Sequence, residues 1–331
     1  MESFFAVLAS ASLIFTWASG AKLHALYAAQ DACAGGVQYQ LSAAQNVATL
    51  ETAAVAPFGR IETGWKLYAP QVTHTIGSPC TPDTRAFAAT LATWQAEHRL
   101  PATGAMNTVT LSAMKGTWQQ ARPFVAAFAA GSCPPAPAEE GLAAIAPREG
   151  WRGKISKLDA DALSELRRMV TAAHAEDPRI AADPLMLTIV SAFRSPAYDA
   201  ERCKNEGNCN GIARARCSAH RTGRAVDFYI GALPGHSPVA SDDANRLYQT
   251  QRPAYQWLVK NAARFGFVNY VFEPWHWEWV GRSAPQTQMV AAYEAKDAST
   301  GTPATSPSVT HPKSAIVNLT ARLQGLFGQM N

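Results

Sequence analysis

At 331 residues, with 47% hydrophobic and 16% charged side chains, the chain is long enough for two domains or one large one and carries ample apolar material for a sizeable core. Its formal charge of +4 is mild and contains no run of Lys or Arg, which argues against nucleic acid as a partner. Weak attraction to anionic envelope polymers is compatible with it.

No charged residue occurs from Ser3 to Ala21, and Phe4 to Trp17 reads as the apolar core of a signal segment, with Ala18-Ser19-Gly20 as a small-residue cleavage site. Residues 1–20 are therefore expected to be a signal peptide. Because Glu2 is the only charged side chain ahead of the run, an uncleaved anchor that attaches the chain to a membrane is the rival, and a buried core helix the plain alternative. Six cysteines (33, 80, 133, 203, 209 and 217) suit an oxidising compartment and allow fifteen pairings. Three precede the region richest in chemistry and three lie in it, so complete pairing needs at least one bridge between the groups.

Within an N-terminal region at 21–132, Phe87, Leu91 and Trp94 recur at i, i+4 and i+7 and predict a helix from Thr84 to about His98. Leu100-Pro-Ala-Thr-Gly104 breaks it, and a second helix is expected to begin at Asn107 or Thr108, whose side chains suit an N-cap. Cys133-Pro-Pro-Ala-Pro-Ala138 opens a stiff Pro-rich linker at 133–150. A helix at Ala160 to Ala175 follows, with Leu163, Leu166, Met169 and Val170 on one face. Leu185 to Ser191 reads as a buried strand that delivers Arg194 at its exit, and Pro253 to Phe265 as a helix before a strand at Phe267 to Phe272. Helices with short strands at hairpin-scale separations predict an α+β fold rather than a doubly wound sheet. Residues 296–313, rich in Thr, Ser and Pro, are expected to be a disordered linker. Residues 314–331 are then expected to form an amphipathic helix with Ile316, Leu319, Leu323, Leu326, Phe327 and Met330 in its stripe. Docking on the protein itself is the default for that stripe, and a membrane surface the alternative. There is no internal repeat.

The densest chemistry lies in Ser218-Ala-His-Arg-Thr-Gly-Arg-Ala-Val-Asp227 and in Phe272-Glu-Pro-Trp-His-Trp-Glu-Trp279. A single histidine beside an apolar strand is more often a hydrogen-bonded core residue than a ligand. Here His220, Asp227 and His276 together supply three zinc ligands, which leaves a fourth position for water, and Glu273 is the further carboxylate that could act as its base. If Arg224 to Ile230 is a strand, Val226, Phe228 and Ile230 face the core and Asp227 faces away. From Trp275 to Val280 the same period separates the tryptophans 275, 277 and 279 from His276 and Glu278. Glu273 reaches the face of His276 only if the chain bends between them, which Pro274 would favour. Glu278 is open to two readings, a partner behind a ligand or a surface charge. Cys217-x-x-His220 suggests a Cys/His site, but the intervals before it are too long for the usual paired cysteines.

These residues resemble a family. Ser-x-His-x-x-Gly-x-Ala-x-Asp followed by Glu-Pro-Trp-His, with Ser191-Ala-Phe-Arg-Ser-Pro196 before both, is similar to the VanY-type zinc D-alanyl-D-alanine carboxypeptidases, peptidase family M15, relatives of the VanX dipeptidases. The likeness runs from about Arg152 to Gly281 and implies a catalytic domain at 151–295 with the hedgehog/D,D-peptidase type of fold, a small antiparallel sheet with flanking helices. It implies His220, Asp227 and His276 as ligands of one catalytic Zn2+, Glu273 as acid/base, Arg194 as the oxyanion partner, and Ser218, with Arg194, as a substrate contact. The segment Cys203 to Cys217 departs from the pattern. Trp94-Gln95 to Gly104 with Thr108 to Ala113 resembles peptidoglycan-binding domains, which implies a small all-α wall-binding unit at about 76–122. A helical hairpin that merely packs on the catalytic domain is its plain alternative.

The resulting expectation is an exported, monomeric enzyme of the periplasm or cell envelope that removes the terminal D-alanine from peptidoglycan stem peptides. The rivals are an endopeptidase with the same zinc site and a non-catalytic wall-binding protein that has kept the fold.

Overall fold

The computed structural model describes residues 32–129, 133–205 and 218–281. The expected signal segment, most of the Cys203 to Cys217 segment, the linker at 296–313 and the C-terminal helix lie outside the described residues. Among the described residues no helix is long and apolar enough to cross a membrane. The chain divides into two compact units, one built from residues up to 54 with 63–111, the other from 55–62 with residues from 112 onward.

The first unit holds helices α1 (Gln40–Leu50), α2 (Ala69–Thr75) and α3 (Arg85–Glu97) and the start of α4 (Thr108–Gln120). A two-residue ribbon, β1 (Ala54–Val55) with β2 (Glu62–Thr63), marks where the chain passes to the second unit and returns. The Thr84 hydroxyl accepts from the backbone N–H of Phe87 and caps α3, whose Phe87, Leu91 and Trp94 are buried as their spacing predicts. The Asn107 side chain caps α4 by accepting from Thr110 N at 2.8 Å. A polar clamp holds the turn between these helices. Gln95 is fully buried, donates to Ala105 O and Thr110 Oγ1 and accepts from Gly104 N, while Asn46 donates to Gly104 O and accepts from Met106 N. Gly104 has φ +70°, and a Cβ there would lie 2.5 Å from Ala88 O, so no other residue fits. A Cys33–Cys80 disulfide closes this unit, pairing two cysteines of the first group, and Cys133 and Cys203 are also disulfide-bonded.

The second unit continues with α5 (Pro123–Ala129), a ribbon of β3 (Leu142–Ala144) and β4 (Lys157–Asp159), α6 (Ala160–Glu176) and α7 (Pro178–Ala181). Then come β5 (Ile189–Ser191), α8 (Pro196–Asn205), β6 (Ala225–Phe228), α9 (Asp243–Thr250), α10 (Pro253–Asn261), β7 (Phe267–Asn269) and β8 (His276–Trp279). The main sheet is antiparallel in the order β5-β6-β8-β7, so the fold is α+β.

Leu163, Leu166 and Met169 of α6 pack with Tyr255 and Leu258 of α10 against the sheet face that presents Val226, Phe228 and the tryptophans 275, 277 and 279. The tryptophans are thus core. The strands are shorter than the apolar runs suggest. Leu187, with φ +65°, sits in a turn closed by Thr188 N donating to Leu185 O, so β5 starts only at Ile189. The chain leaves β7 after Asn269 for a tight turn, and α10 tightens to a 3-10 helix over Ala262–Phe265. Residues 55–62 add Glu62, whose carboxylate accepts from the fully buried Arg246 at 2.6 Å, and Phe58, which packs on Tyr270 and Phe272.

Candidate metal centre

Register assembles the site. Asp227 of β6 lies directly opposite His276 of β8, so the two side chains emerge side by side on the sheet face turned away from the tryptophans. That face is covered as well, since Asp227 and His276 are each 4% exposed. His220 comes from a 3-10 turn, Ala219–Thr222, started by Ser218 Oγ accepting from His220 N and ended by Gly223 at φ +70°. The turn lies close against the β3–β4 ribbon: Gly223 O accepts from Asp159 N, and a Cβ on Gly223 would meet the Leu142 side chain at 2.9 Å. That contact is the physical reason for glycine three residues after the histidine.

Hydrogen bonding fixes which nitrogen of each ring faces inward. His220 Nδ1 lies 2.8 Å from Ala192 O, an acceptor only, so this nitrogen carries the hydrogen and Nε2 faces Asp227 Oδ1 at 3.2 Å. His276 is turned the other way, with Nδ1 2.9 Å from Asp227 Oδ1 and Nε2 3.2 Å from Glu278 Oε1. One donor atom from each of His220, Asp227 and His276 fits within a span of 4.8 Å. Two imidazole nitrogens and a carboxylate, with both outward nitrogens tied to acceptors, form a donor set that suits a divalent metal ion.

Charges follow the contacts. Burial pushes the His220 ring down to about 4, more than the Asp227 carboxylate restores. Burial opposes charge on His276 too, but the Asp227 and Glu278 carboxylates on its two nitrogens outweigh it and push the ring up to about 9. Asp227 stays well below the ordinary carboxylate range, because its histidine neighbours overcome the desolvation that would raise it.

Glu273 arrives as the bend at Pro274 suggests. The turn is closed by Glu273 N donating to Tyr270 O at 2.7 Å and by His276 N donating to Glu273 O at 2.8 Å, which puts Glu273 Oε2 4.0 Å from His276 Nδ1. Asn269 Nδ2 reaches the carbonyls of Glu273 and His276, and Tyr255 Oη lies 3.3 Å from Asn269 Oδ1, so core side chains hold this turn from below. Arg194 leaves β5 and extends its guanidinium toward Asp227 Oδ2 at 3.4 Å and Ser218 Oγ at 3.5 Å, with Nε 3.3 Å from Ser191 Oγ. All six residues singled out in the sequence meet in one place.

Three further residues complete the site: Glu278, which the sequence leaves as a partner behind a ligand or a surface charge, and Arg122 and Tyr270, which it does not single out. Glu278, 4% exposed, backs His276 and is no surface charge. Its carboxylate meets Arg122, which also lies over the Tyr270 ring at 3.9 Å, and Tyr270 in turn packs edge-on against His276 at 6.0 Å. The alternation of β8 placed Glu278 beside His276, whereas nothing in the sequence around Arg122 signals its position.

Among proteins of known family, the VanY family, described as D-alanyl-D-alanine carboxypeptidase, matches residues 155–282. Two solved structures show likeness. That of the LdcB LD-carboxypeptidase, which is described as revealing the basis of peptidoglycan recognition, is 20% identical over 42% of this chain and 65% of its own, with a TM-score of 0.28. That of DacB from Streptococcus pneumoniae D39 is 18% identical over 49% of this chain and 91% of its own, with a TM-score of 0.25. The chain thus spans just under two thirds of the LdcB structure's length. Curated proteins give no match. The likeness to the VanY D-alanyl-D-alanine carboxypeptidase family thus spans residues 155–282, the stretch that holds Arg194, Ser218, His220, Asp227, Glu273 and His276.

Proposed function

We propose that this domain is a zinc-dependent D-alanyl-D-alanine carboxypeptidase that removes the terminal D-alanine from peptidoglycan stem peptides, in an exported protein of the cell envelope that remodels the wall. The observation that carries the reading is the convergence of His220 Nε2, Asp227 and His276 Nδ1 with Glu273 Oε2 4.0 Å from the last of these. His220, Asp227 and His276 would hold the zinc, which when bound supplies Lewis acidity to the scissile carbonyl and acidifies a water.

Glu273 then takes a proton from the attacking water as its oxygen joins the carbonyl carbon, and gives a proton to the amine nitrogen of the departing D-alanine as the C–N bond breaks. Arg194, whose guanidinium lies beside Ser218 and Asp227, donates to the oxygen on which negative charge grows. Ser218 offers its hydroxyl to the substrate from the same side. Mass spectrometry of muropeptides after incubation tests the assignment. Loss of one terminal alanine from pentapeptide stems supports it; cleavage inside a cross-link identifies an endopeptidase, and no cleavage by the zinc-loaded protein a binding role only.

Arg194→Lys should leave the protein folded and lower kcat at least ~10-fold, because a compact ammonium does not reproduce the planar fork that reaches two acceptors at once. Steady-state kinetics on a soluble pentapeptide checks it, and a kcat within two-fold of the parent would remove Arg194 from transition-state stabilisation.

The first unit is proposed to bind peptidoglycan and so raise the effective concentration of stem peptides around the active site. Gln95→Ala removes the clamp on the 104–110 turn while touching nothing at the metal centre. It should lower activity on whole sacculi and leave activity on a soluble pentapeptide unchanged. Equal losses on both substrates would make this unit a packing element of the catalytic part.

A further inference from the structure

Arg122 lies outside the segment that matches the family and carries no motif, yet its side chain is buried against the strand that bears His276. Both Nε and Nη2 donate to Glu278 Oε1, at 2.9 and 2.5 Å, while Nη1 is held by Gln119 Oε1 at 3.0 Å. The same Glu278 oxygen faces His276 Nε2 at 3.2 Å. An ionised carboxylate only accepts, so when Nδ1, which faces Asp227 at 2.9 Å within reach of His220, gives its lone pair to a metal, the ring's hydrogen is held on Nε2 by Glu278. Glu278 thereby fixes the tautomer and ring orientation that a metal ligand needs. A lone buried carboxylate could turn away from His276, and the two-pronged guanidinium holds it in place. Arg122 also lies over Tyr270, whose ring packs against His276, so it braces the ligand along two routes.

We infer that Arg122 is a positioning residue for metal binding, which acts through Glu278 to hold His276 with Nδ1 presented to the metal. This rests on the reading of His220, Asp227 and His276 as a zinc site.

The test is zinc affinity of the full-length protein, stripped of metal and titrated against a chromogenic chelator, alongside its melting temperature without metal. Glu278→Gln should weaken zinc binding by about 10–100-fold. Arg122→Met should weaken it by a similar factor, and the double variant should be no weaker than Glu278→Gln alone, because both changes break one chain of contacts. Arg122→Lys, which keeps the charge but loses the two-pronged contact, should fall between parent and Arg122→Met, and it supplies the answer if Arg122→Met does not fold. Zinc affinity within two-fold of the parent in Arg122→Met and Arg122→Lys, with only the melting temperature lowered, would show Arg122 to be structural and overturn the inference. Additive losses in the double variant would also overturn it. A parent protein that binds no zinc would instead overturn the metal reading itself, so the two failures are distinct.

Discussion

Replacing Glu273 by Gln is expected to leave the fold and the metal affinity intact and to lower turnover by at least ~100-fold. The amide keeps the size and shape of the carboxylate. The turn that positions it is made by backbone bonds, Glu273 N to Tyr270 O and His276 N to Glu273 O, and by Asn269, none of which involves the Glu273 carboxylate. What the substitution removes, on the proposed mechanism, is an oxygen able to accept the water's proton and return it to the leaving amine. Since the change falls on the chemical step, kcat should drop while KM stays within a few-fold. Turnover within a few-fold of the parent, at equal zinc content, would exclude Glu273 as the base.

The site was more legible in the sequence than the elements around it. Two histidines, an aspartate and a glutamate form a set that packing alone rarely requires, and alternation along β8 assigned the tryptophans to one face and His276 with Glu278 to the other. The structure has that arrangement, with Trp275, Trp277 and Trp279 in the core. Strand ends were not legible, because an apolar run does not mark where a turn intervenes. Leu185 to Leu187 are as apolar as Ile189 to Ser191, yet the carbonyl of Leu185 closes a turn through Thr188, and Leu187 takes a left-handed conformation. Periodicity sends Asp227 away from the face of Val226 and Phe228 but does not say what lies over it; His220, arriving from a separate turn, helps to cover it.

Long-range ion pairs were legible least. Arg122 meets Glu278 and Glu62 meets Arg246 across more than 150 residues of sequence each. A buried charge carries no periodic signature. The pairing of Glu62 with a fully buried Arg246 also explains why residues 55–62 belong to the second unit although the chain on either side belongs to the first. A boundary read from composition, such as the Pro-rich stretch at 133–138, has no means of registering contacts of this kind.

His220→Ala is expected to lose most of the zinc affinity, by at least ~100-fold, and with it nearly all activity at limiting metal. Among the three proposed ligands His220 is the one whose ring orientation depends least on the others. Its Nδ1 is anchored to Ala192 O at 2.8 Å, and Ser218 and Gly223 bound its turn, so the ring is presented whether or not a metal is bound. His276 and Asp227 would remain as a pair of neighbours on adjacent strands, which is too few ligands to hold a tetrahedral ion against a chelator. The ring lies in a buried place, so truncation leaves a cavity and some loss of stability; a melting temperature taken without metal separates that loss from the loss of binding. Metal analysis after dialysis is the deciding measurement. Full zinc occupancy with unchanged activity in His220→Ala would mean that the ion sits elsewhere, and the mechanism built on Glu273 and Arg194 would fall with it.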